Sequence, residues 1–319
     1  MDPAPPPSCW VVTDGKAGMI SQCVGLAEAL ESVPDIKTVR LRTPWRDFTP
    51  YFRLGGRLQF AADSDPLNPP WPDLLIATGR HSVAASILVR RLAGGKTRTV
   101  QIQNPVIGPK HFDLVVTPRH DNLQGENVVV TRGALHRVTP AMLKEGADQF
   151  AWRLQHLKRP YIGVLIGGSN NVYRLEADTM QSIAARLAAC ARTLNASLII
   201  TPSRRTGEAN REILKNALID VPHYLWNGEG ENPYFGLLGL ADFIVVTADS
   251  VNMVSEAASS GKPVYVAALP GGSAKFWNFH QRLMEEGVTR AFEDKLEPYT
   301  YPPLDDVAMV ADKVRTLLR

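Results

Sequence analysis

Cysteine is scarce in this chain of 319 residues, and the three that occur, Cys9, Cys23 and Cys190, show no C-x-x-C spacing. An odd number without that spacing argues against both a disulfide framework and a structural zinc site. Reduced thiols are the rule in the cytosol, so we expect a cytoplasmic protein. The amino-terminal segment also lacks the basic and apolar regions of a secretory signal, which agrees with that expectation.

Long apolar runs and strong charge are missing as well. No stretch approaches the ~20 apolar residues of a membrane-spanning helix. The net charge is only +3 and no basic tract is present, so we expect no nucleic-acid partner. The histidines form no i, i+4 pair of the kind that holds a metal on a helix, so no metal site is predicted. We expect polar loop residues at His81, His111, His120 and His136.

What is present is the composition of an ordinary globular protein, with 45% hydrophobic and 21% charged residues. A length of 319 residues exceeds what one core usually serves, so two domains are predicted. Short β-branched runs alternate with helical patterns in both halves, which is typical of parallel α/β domains. We place the first domain at 1–158, the second at 159–300 and a closing helix at 301–319, for which packing back across the domains is one expectation.

Three loops in the second half each follow a buried run and carry groups that suit an anion. The first is Gly167-Gly168-Ser169-Asn170, whose glycines let a ligand approach the backbone closely. The second is Ser203-Arg204-Arg205, where the guanidinium groups suit phosphate oxygens. The third is Asp249-Ser250, which caps a helix that continues through Met253 and so offers backbone N–H groups and a positive dipole end. Ligands of parallel sheets lie beyond the carboxyl ends of strands, and one nucleotide-diphosphate site explains all three loops.

Glu256 follows the cap by about one and a half helical turns. We expect it to be an exposed carboxylate that faces the ribose of a nucleotide whose phosphates lie at the cap. The alternative is purely structural. In that interpretation Asp249 and Ser250 only cap the helix, and Glu256 is a solvated surface charge.

The first half opens with a predicted strand at Cys9–Thr13, followed by the turn Asp14-Gly15-Lys16-Ala17-Gly18 and a helix. The turn resembles a phosphate-binding turn. It matches neither G-x-G-x-x-G nor G-x-x-x-x-G-K-[ST], so it specifies no ligand by itself.

The segment 43–60 interleaves aromatic and basic residues. This composition suits the membrane–water interface, so an anionic membrane surface is a predicted partner. The alternative is a helix that packs its aromatic rings on the sheet while its arginines stay in water. The residues assigned to the membrane contact are Trp45, Arg46, Phe52, Arg53 and Arg57.

The opening residues Trp10–Met19, with Gln22, Gly25 and Leu26, resemble the plant "elongated mitochondria" fission-protein family, whose bacterial relatives are described as glycosyltransferases. The stretches 167–170, 201–206 and 247–256 also resemble that family. The resemblance spans most of the chain. It implies an α/β protein with two doubly wound Rossmann-like domains that face each other across a cleft, the GT-B architecture.

The resemblance also implies roles, by analogy with the GT-B enzyme that adds N-acetylglucosamine to a peptidoglycan lipid precursor. The second-domain loops would hold the nucleotide half of a sugar donor, with Glu256 on the ribose hydroxyls and the cap at Asp249–Met253 on the diphosphate. Gly15, Lys16 and Gly18 would face the acceptor. That enzyme has more glycines and a histidine in the first-domain turn, whereas this chain has Asp14, which becomes the candidate base.

We therefore expect a glycosyltransferase that uses a nucleotide-diphosphate sugar without a metal or other cofactor. The expected acceptor is a membrane lipid or an envelope glycan, and the expected location is the cytoplasm, peripheral on the inner face of the membrane. Two alternatives stay open. One is a non-catalytic peripheral-membrane or scaffold protein on the same fold, and the other is a UDP-sugar epimerase of GT-B fold.

Overall fold

Two sheets of six parallel strands each organise the computed structural model, which describes residues 5–52 and 54–319. Contacts divide the chain into a first unit, which runs up to Arg137 and includes Asp305–Arg319, and a second unit, Val138–Leu304. Each unit contains one sheet. The predicted class, α/β with two doubly wound domains, is confirmed.

The strands of the first sheet are β1 Cys9–Thr13, β2 Asp35–Thr38, β3 Leu74–Thr78, β4 Arg98–Ile102, β5 Leu114–Pro118 and β6 Val128–Thr131. Those of the second sheet are β7 Tyr161–Ile166, β8 Ser197–Pro202, β9 His223–Leu225, β10 Phe243–Thr247, β11 Val264–Ala267 and β12 Thr289–Ala291. The helices are α1 Ala17–Ala29, α2 Trp45–Phe48, α3 Val83–Leu92, α4 Pro140–Phe150, α5 Ala177–Leu194, α6 Glu208–Ala217, α7 Tyr234–Leu240, α8 Val251–Ser259, α9 Ala274–Glu285 and α10 Asp306–Leu318.

The first sheet has the strand order β2-β1-β3-β4-β5-β6, so the winding reverses between β1 and β3. Alternate residues of its central strands are buried on opposite faces. Val11 and Ile76 join a core cluster on one face, whereas Val12 and Leu75 join a cluster on the other. Burial on both faces explains why these strands read as continuous apolar runs rather than as an alternating pattern.

The closing helix α10 belongs to the first unit. Its residues Val310 and Val314 pack in the same cluster as Leu26 of α1. At the start of the helix, the Asp306 carboxylate accepts backbone N–H bonds from Arg132 at 3.0 Å and Gly133 at 2.8 Å. Burial raises the pKa of Asp306, and these two bonds oppose the shift. The helix is therefore anchored by both apolar packing and a buried carboxylate.

The structure divides the chain after Arg137, earlier than the predicted boundary after residue 158. The reason is the packing of α4, which lies against α7 of the second unit. A Cβ atom added at Gly236 of α7 would come within 2.7 Å of the Gly146 carbonyl oxygen of α4. The sequence pattern of α4 predicts an amphipathic helix, but it does not indicate which unit the helix packs on.

The second sheet has the order β12-β11-β10-β7-β8-β9, and its winding reverses between β10 and β7. Val246 of β10 is paired with Leu165 of β7, which is paired in turn with Thr201 of β8. The carboxyl ends of these three strands therefore lie side by side. This edge, at the reversal of the winding, is where doubly wound sheets bind their ligands.

The aromatic and basic segment 43–60 does not form one helix that packs on the sheet. Among its described residues, only the short helix α2 and a 3-10 turn at Gly56–Gln59 are regular, and most of the large apolar side chains face solvent. The exposed ones are Phe48, Tyr51, Phe52, Leu54 and Leu58. Arg53, which the sequence assigned to a membrane contact, lies outside the described residues. None of the helices in the described ranges is long and apolar enough to cross a membrane.

Candidate functional site

One buried carboxylate joins the three loops at the edge of the second sheet. The Asp249 side chain is fully buried after β10, and its Oδ2 atom accepts a bond from the Gly168 backbone N–H at 3.1 Å. The same oxygen accepts a bond from the Arg205 guanidinium, in the loop after β8, at 2.7 Å. Oδ1 accepts a bond from the Thr247 hydroxyl at 2.6 Å, and that hydroxyl accepts the Gly167 N–H at 2.8 Å. The loops after β7, β8 and β10 thus form one preformed structure.

The two glycines after β7 are required by this close packing. A Cβ atom at Gly167 would lie 2.1 Å from Asp249 Oδ1, and one at Gly168 would lie 2.1 Å from the Arg205 carbonyl oxygen. Any side chain at either position would push the loops apart. The glycines therefore serve loop packing, and the prediction that they let a ligand approach the backbone stays a prediction.

The small polar residues of these loops hold the backbone in place. Ser203 and Thr206 both donate to the Gly167 carbonyl oxygen, at 2.9 Å and 2.6 Å. The Asn170 amide donates to the Asp249 carbonyl oxygen at 3.1 Å, and Ser169 Oγ accepts the Leu175 N–H at 2.9 Å. The structure thus brings together the residues predicted for the three loops, and most of their polar atoms bind one another.

Two features beside these loops suit an anion, the start of α8 and one arginine. Ser250, not Asp249, is the N-cap: its hydroxyl oxygen accepts the Met253 N–H at 3.3 Å. The first N–H groups of a helix have no partner within the helix, so this end favours an anion. Arg204 is exposed, and no carboxylate pairs with it in the described part of the chain. Arg205 is committed to Asp249, so the two neighbouring arginines differ in role.

Glu256 is buried rather than exposed, which corrects the expectation of an open carboxylate. Only 9% of its surface is accessible, and its Oε2 atom accepts a bond from the Tyr234 hydroxyl of α7. Burial, reinforced by the charge of Glu256, raises the pKa of Tyr234 well above its usual range, so the phenol keeps its proton and donates it. The sequence pattern missed the reason: the Tyr234 side chain, at the start of α7, reaches Glu256 of α8.

In the first unit, the turn after β1 is closed by its own charges. The Asp14 carboxylate pairs with Lys16 Nζ at 2.5 Å, and its other oxygen accepts the Lys16 N–H at 3.3 Å. Gly15 has a φ of +86°, which suits glycine. Lys16 stands at the N-cap of α1, and Gly18 lies within its first turn. These residues occupy the edge at which the first sheet reverses its winding.

His81 is a candidate that the sequence interpretation treated as an ordinary loop residue. It follows β3, the strand next to β1. The charges of Asp14, Arg80 and Lys16 are close enough to affect the pKa of its imidazole. Burial lowers the pKa of His81, and the neighbouring Asp14 opposes that shift. The imidazole is therefore a neutral base at pH 7. The signal in the sequence was its position in the loop that follows a buried strand.

The triplet Asp63-Ser64-Asp65 has the D-x-D spacing of metal-dependent glycosyltransferases, but its carboxylates have other partners. Asp63 pairs with Arg40 at 2.5 Å, and Asp65 accepts the Thr38 N–H at 2.6 Å. Both contacts lie at the β2 edge of the first sheet. Within the described ranges, no group of three or more His, Cys, Asp or Glu side chains is arranged to hold a metal ion.

Comparison with known proteins identifies a family. A family model described as "Mitochondrial fission ELM1" matches residues 17–318. The mitochondrial fission protein ELM1 of Arabidopsis thaliana is 34% identical over 270 residues, which cover 76% of this chain and 63% of that protein. The chain thus spans less than two thirds of the length of this relative.

Solved structures share the fold at low sequence identity. The UDP-GlcNAc 2-epimerase from Methanocaldococcus jannaschii superposes with a TM-score of 0.60 at 13% identity, over 97% of this chain and 99% of that chain. MurG of Acinetobacter baumannii superposes with a TM-score of 0.50 at 16% identity, over 98% of this chain and 92% of that chain. At such identities the likeness concerns the fold alone, and it confirms the predicted GT-B-like fold.

Proposed function

The chain belongs to the mitochondrial fission ELM1 family, and on this premise we propose that it is a glycosyltransferase whose second unit holds a nucleotide-diphosphate sugar. The observation that carries the proposal is the edge at which Asp249 joins the loops after β7, β8 and β10. This preformed edge leaves the start of α8 and the Arg204 guanidinium for a ligand. Both suit the oxygens of a diphosphate. A protein of the same fold is named for a UDP-sugar, which supports this ligand class.

The proposed reaction is a direct displacement with inversion. An acceptor hydroxyl oxygen forms a bond to the anomeric carbon as the bond from that carbon to the diphosphate oxygen breaks. The proton of the hydroxyl passes to a base, for which the first unit offers Asp14 and the neutral His81. The leaving nucleoside diphosphate keeps the electron pair, and the start of α8 with Arg204 stabilises its charge. This role for Arg204 and the helix needs no metal.

Two other functions use the same features differently. A UDP-sugar epimerase would need the same nucleotide site but would rearrange the sugar without an acceptor. A scaffold protein would need no nucleotide at all. Analysis of the products separates the first alternative, because only the epimerase forms a new free nucleotide sugar when no acceptor is added.

Thermal unfolding with UDP, GDP, ADP and CMP tests the proposal against the scaffold. A ligand at 100 times its dissociation constant stabilises the folded state by about 2.7 kcal/mol. We expect one diphosphate to raise the melting temperature and an Arg204→Ala variant to lose most of that rise. Absence of any shift across the four nucleotides would refute the proposed donor site.

For the acceptor we propose a molecule at an anionic membrane surface, reached through the exposed segment 45–58. Its apolar side chains face water, as in Leu54, which is 75% exposed. Trp45 stacks on Phe52 with ring centroids 5.9 Å apart and donates its indole N–H to the Leu54 carbonyl oxygen, so the aromatic rings are held at the surface. Arg46 and Arg57 are exposed beside them. Aromatic rings with cations are typical of reversible membrane contact.

Co-sedimentation with liposomes tests this contact. Wild type is expected to pellet with vesicles that contain phosphatidylserine and less so at high salt, because each basic residue adds about 1 kcal/mol at such a surface. An Arg46→Glu, Leu54→Ser variant should stay in the supernatant. Ile219→Ser is the control, because Ile219 is an equally exposed apolar residue of the second unit. If wild type ignores anionic vesicles at low salt, a water-soluble acceptor replaces the membrane acceptor.

A further inference from the structure

A basic pocket of about 380 Å³ lies in the first unit, between the end of α3 and the 3-10 turn Pro109–His111. We call it the α3 pocket; the lining residues used below are Ile87, Arg90, Arg91, Gly94, Gly95 and Lys110. Its volume lies in the range of pockets that bind small molecules. No Asp or Glu lines it among the described residues. The pocket therefore concentrates positive charge, although the net charge of the chain is only +3.

The α3 pocket lies at the amino edge of the first sheet, away from the residues proposed for the reaction. Helix α3 starts after the carboxyl end of β3 and returns the chain to the amino end of β4, so Arg90 and Arg91 stand at that edge. The turn Pro109–His111 precedes the amino end of β5 and lies there as well. The turn that contains Asp14 follows the carboxyl end of β1 instead. A ligand of the α3 pocket is therefore not the acceptor group that would react at Asp14.

Two sets of contacts fix the walls of the α3 pocket. Phe112, the residue after the 3-10 turn, packs in one buried cluster with Val83 of α3, and Ile87 packs against that cluster. The Asn127 amide donates to the carbonyl oxygens of Pro109 and Phe112, at 3.0 Å and 2.8 Å. The turn is thus held against α3 by contacts of its own.

A partly buried carboxylate orients Arg90. The Nε and Nη2 atoms of Arg90 donate to Asp113 at 3.2 Å and 2.9 Å, and Asp113 also accepts the N–H and the hydroxyl of Thr99, each at 2.8 Å. Burial would raise the pKa of Asp113, but these bonds hold it below its usual range, so the carboxylate is charged at pH 7. Nη1 of Arg90 has no partner in the described part of the chain, and the side chain is 39% exposed. Its N–H donors can therefore reach a ligand.

Two further cations of the α3 pocket have no carboxylate. Arg91 and Lys110 are exposed, and neither forms an ion pair within the described ranges. Asp113 cannot neutralise them, because it is shared between Arg90 and Arg98, whose Nη1 lies 3.9 Å from it. The pocket therefore carries two positive charges beyond the pair of Arg90 and Asp113.

The end of α3 leaves room for an anion. Gly94 and Gly95 have φ values of +61° and +77°, and a Cβ atom at either would meet no atom within 4 Å, so both border open space. The carbonyl oxygens of Arg90 and Arg91 accept the N–H groups of this turn, at 3.0 Å and 3.2 Å. The partial negative charge at a helix end is about half an elementary charge. It is smaller than the charge of the two unpaired cations, so the pocket stays attractive to an anion.

We propose that the α3 pocket binds a phosphomonoester group, at a site separate from the proposed donor site. A phosphomonoester carries a charge of about −1.5 to −2 at pH 7, which matches the two unpaired cations. A carboxylate or a phosphodiester carries a single charge and would leave one cation unmatched. Arg90 and Arg91 offer planar guanidinium groups that suit phosphate oxygens, and Lys110 adds a point charge. A soluble metabolite and a lipid head group can both present this group.

Calorimetry with glycerol 3-phosphate and with dimethyl phosphate, a phosphodiester, tests the inference. Wild type is expected to bind the monoester at least about tenfold more tightly than the diester, and Arg91→Ala, Lys110→Ala should weaken monoester binding by about tenfold or more, the loss expected for charge-assisted contacts. Both side chains are exposed, so the variant should keep the melting temperature of wild type. Arg204→Ala, in the second unit, should leave this binding unchanged.

Lys313→Ala, Arg319→Ala is the matched control, because it removes two exposed cations from the same unit. Lys313 lies on α10, whose core cluster is on the face of the sheet opposite to that of α3. The control should bind glycerol 3-phosphate like wild type.

Vesicles separate the two sources of the phosphomonoester. Phosphatidic acid carries this group, whereas phosphatidylglycerol is a phosphodiester of the same lipid type. The assay uses the Arg46→Glu, Leu54→Ser background, so that the segment 45–58 does not contribute. Pelleting with phosphatidic acid alone, lost when Arg91 and Lys110 are also replaced, would assign the site to a lipid head group. Binding of glycerol 3-phosphate without such pelleting would assign it to a soluble ligand.

Four results would overturn the inference. The first is equal affinity for the monoester and the diester, and the second is an equal loss in the pocket variant and its control. The third is a loss in Arg204→Ala but not in Arg91→Ala, Lys110→Ala, which would place the ester at the proposed donor site. The fourth is failure of both glycerol 3-phosphate and phosphatidic acid to bind. The proposed donor site does not depend on these results, because it falls only if all four nucleotides of the thermal panel fail.

Discussion

Replacing Asp249 by alanine should loosen the three loops of the site at once. The carboxylate accepts bonds from the Gly168 N–H, the Thr247 hydroxyl and the Arg205 guanidinium. Its side chain is fully buried, so the Gly168 N–H and the Thr247 hydroxyl bind it away from bulk water. The variant therefore tests whether one buried group organises the edge of the second sheet.

The expected loss of stability follows from the three partners. Gly168 N–H and the Thr247 hydroxyl lose their acceptor inside the protein, at about 1–3 kcal/mol each. The Arg205 side chain is 42% exposed, so its released charge is solvated and adds at most about 1 kcal/mol. We expect a total of about 3–5 kcal/mol, a large part of the 5–15 kcal/mol that stabilises a typical domain.

Hydrogen exchange in peptides from β7, β8 and β10 measures this loss locally, because two units can unfold in separate steps. Asp249→Asn keeps one acceptor and should lose about half as much. Glu212→Ala is the control: Glu212 forms an exposed pair with Lys215 at 3.6 Å in the same unit, and its loss should cost less than about 1 kcal/mol. If Asp249→Ala is as stable as the control, the carboxylate does not organise the loops.

Three further predictions concern single residues. Arg204→Ala should weaken diphosphate binding by about 1.5–3 kcal/mol and spare nucleoside binding in calorimetry, because Arg204 is exposed and, unlike Arg205, pairs with no carboxylate among the described residues. Glu256→Ala should lower both nucleotide affinity and thermal stability, whereas Tyr234→Phe, which removes only the hydroxyl on Glu256, should lower stability alone. Burial depresses the pKa of His280 below its usual 6.5, so the unfolded chain takes up the proton first. The contribution of His280 to the free energy of unfolding is therefore fully present above pH 6.5 and is lost as the pH falls through the folded pKa. In urea titrations at a series of pH values, the free energy of unfolding of His280→Gln should fall less at acid pH than that of wild type.

The sequence predicted the buried strands well and the exposed elements poorly. β1 was expected at Cys9–Thr13 and is found there, because its continuous apolar run reflects burial on both faces. β2, at Asp35–Thr38, is an edge strand of exposed and half-buried residues, so it has no such run to mark its bounds. In the segment 43–60 the alternative of a helix that packs its aromatic residues on the sheet was wrong. The helix α2 ends at Phe48, and Pro50 follows its C-cap, Thr49.

The sequence predicted the three loops of the site but not the side-chain contacts that join them. The three loops were expected at strand ends, and the structure brings them together. Which groups bind one another depends on the order of the strands, and local patterns do not contain that order. Asp249 meets Arg205 across 44 positions of sequence, and Tyr234 meets Glu256 across 22. The predicted exposure of Glu256 was wrong for this reason.

The same network bears on the choice between an enzyme and a scaffold. A fully buried carboxylate with a paired arginine is a weak source of stability, because the cost of removing both charges from water offsets their attraction. Apolar residues would stabilise the edge at least as well. What the Asp249 network provides instead is position: it fixes two glycine amides, the start of α8 and the backbone next to Arg204 at one edge. Precise placement of these groups matters if a ligand binds at the edge. It does not matter if the fold only holds two partner proteins apart. On physical grounds, the arrangement therefore supports the proposed ligand-binding protein over the scaffold.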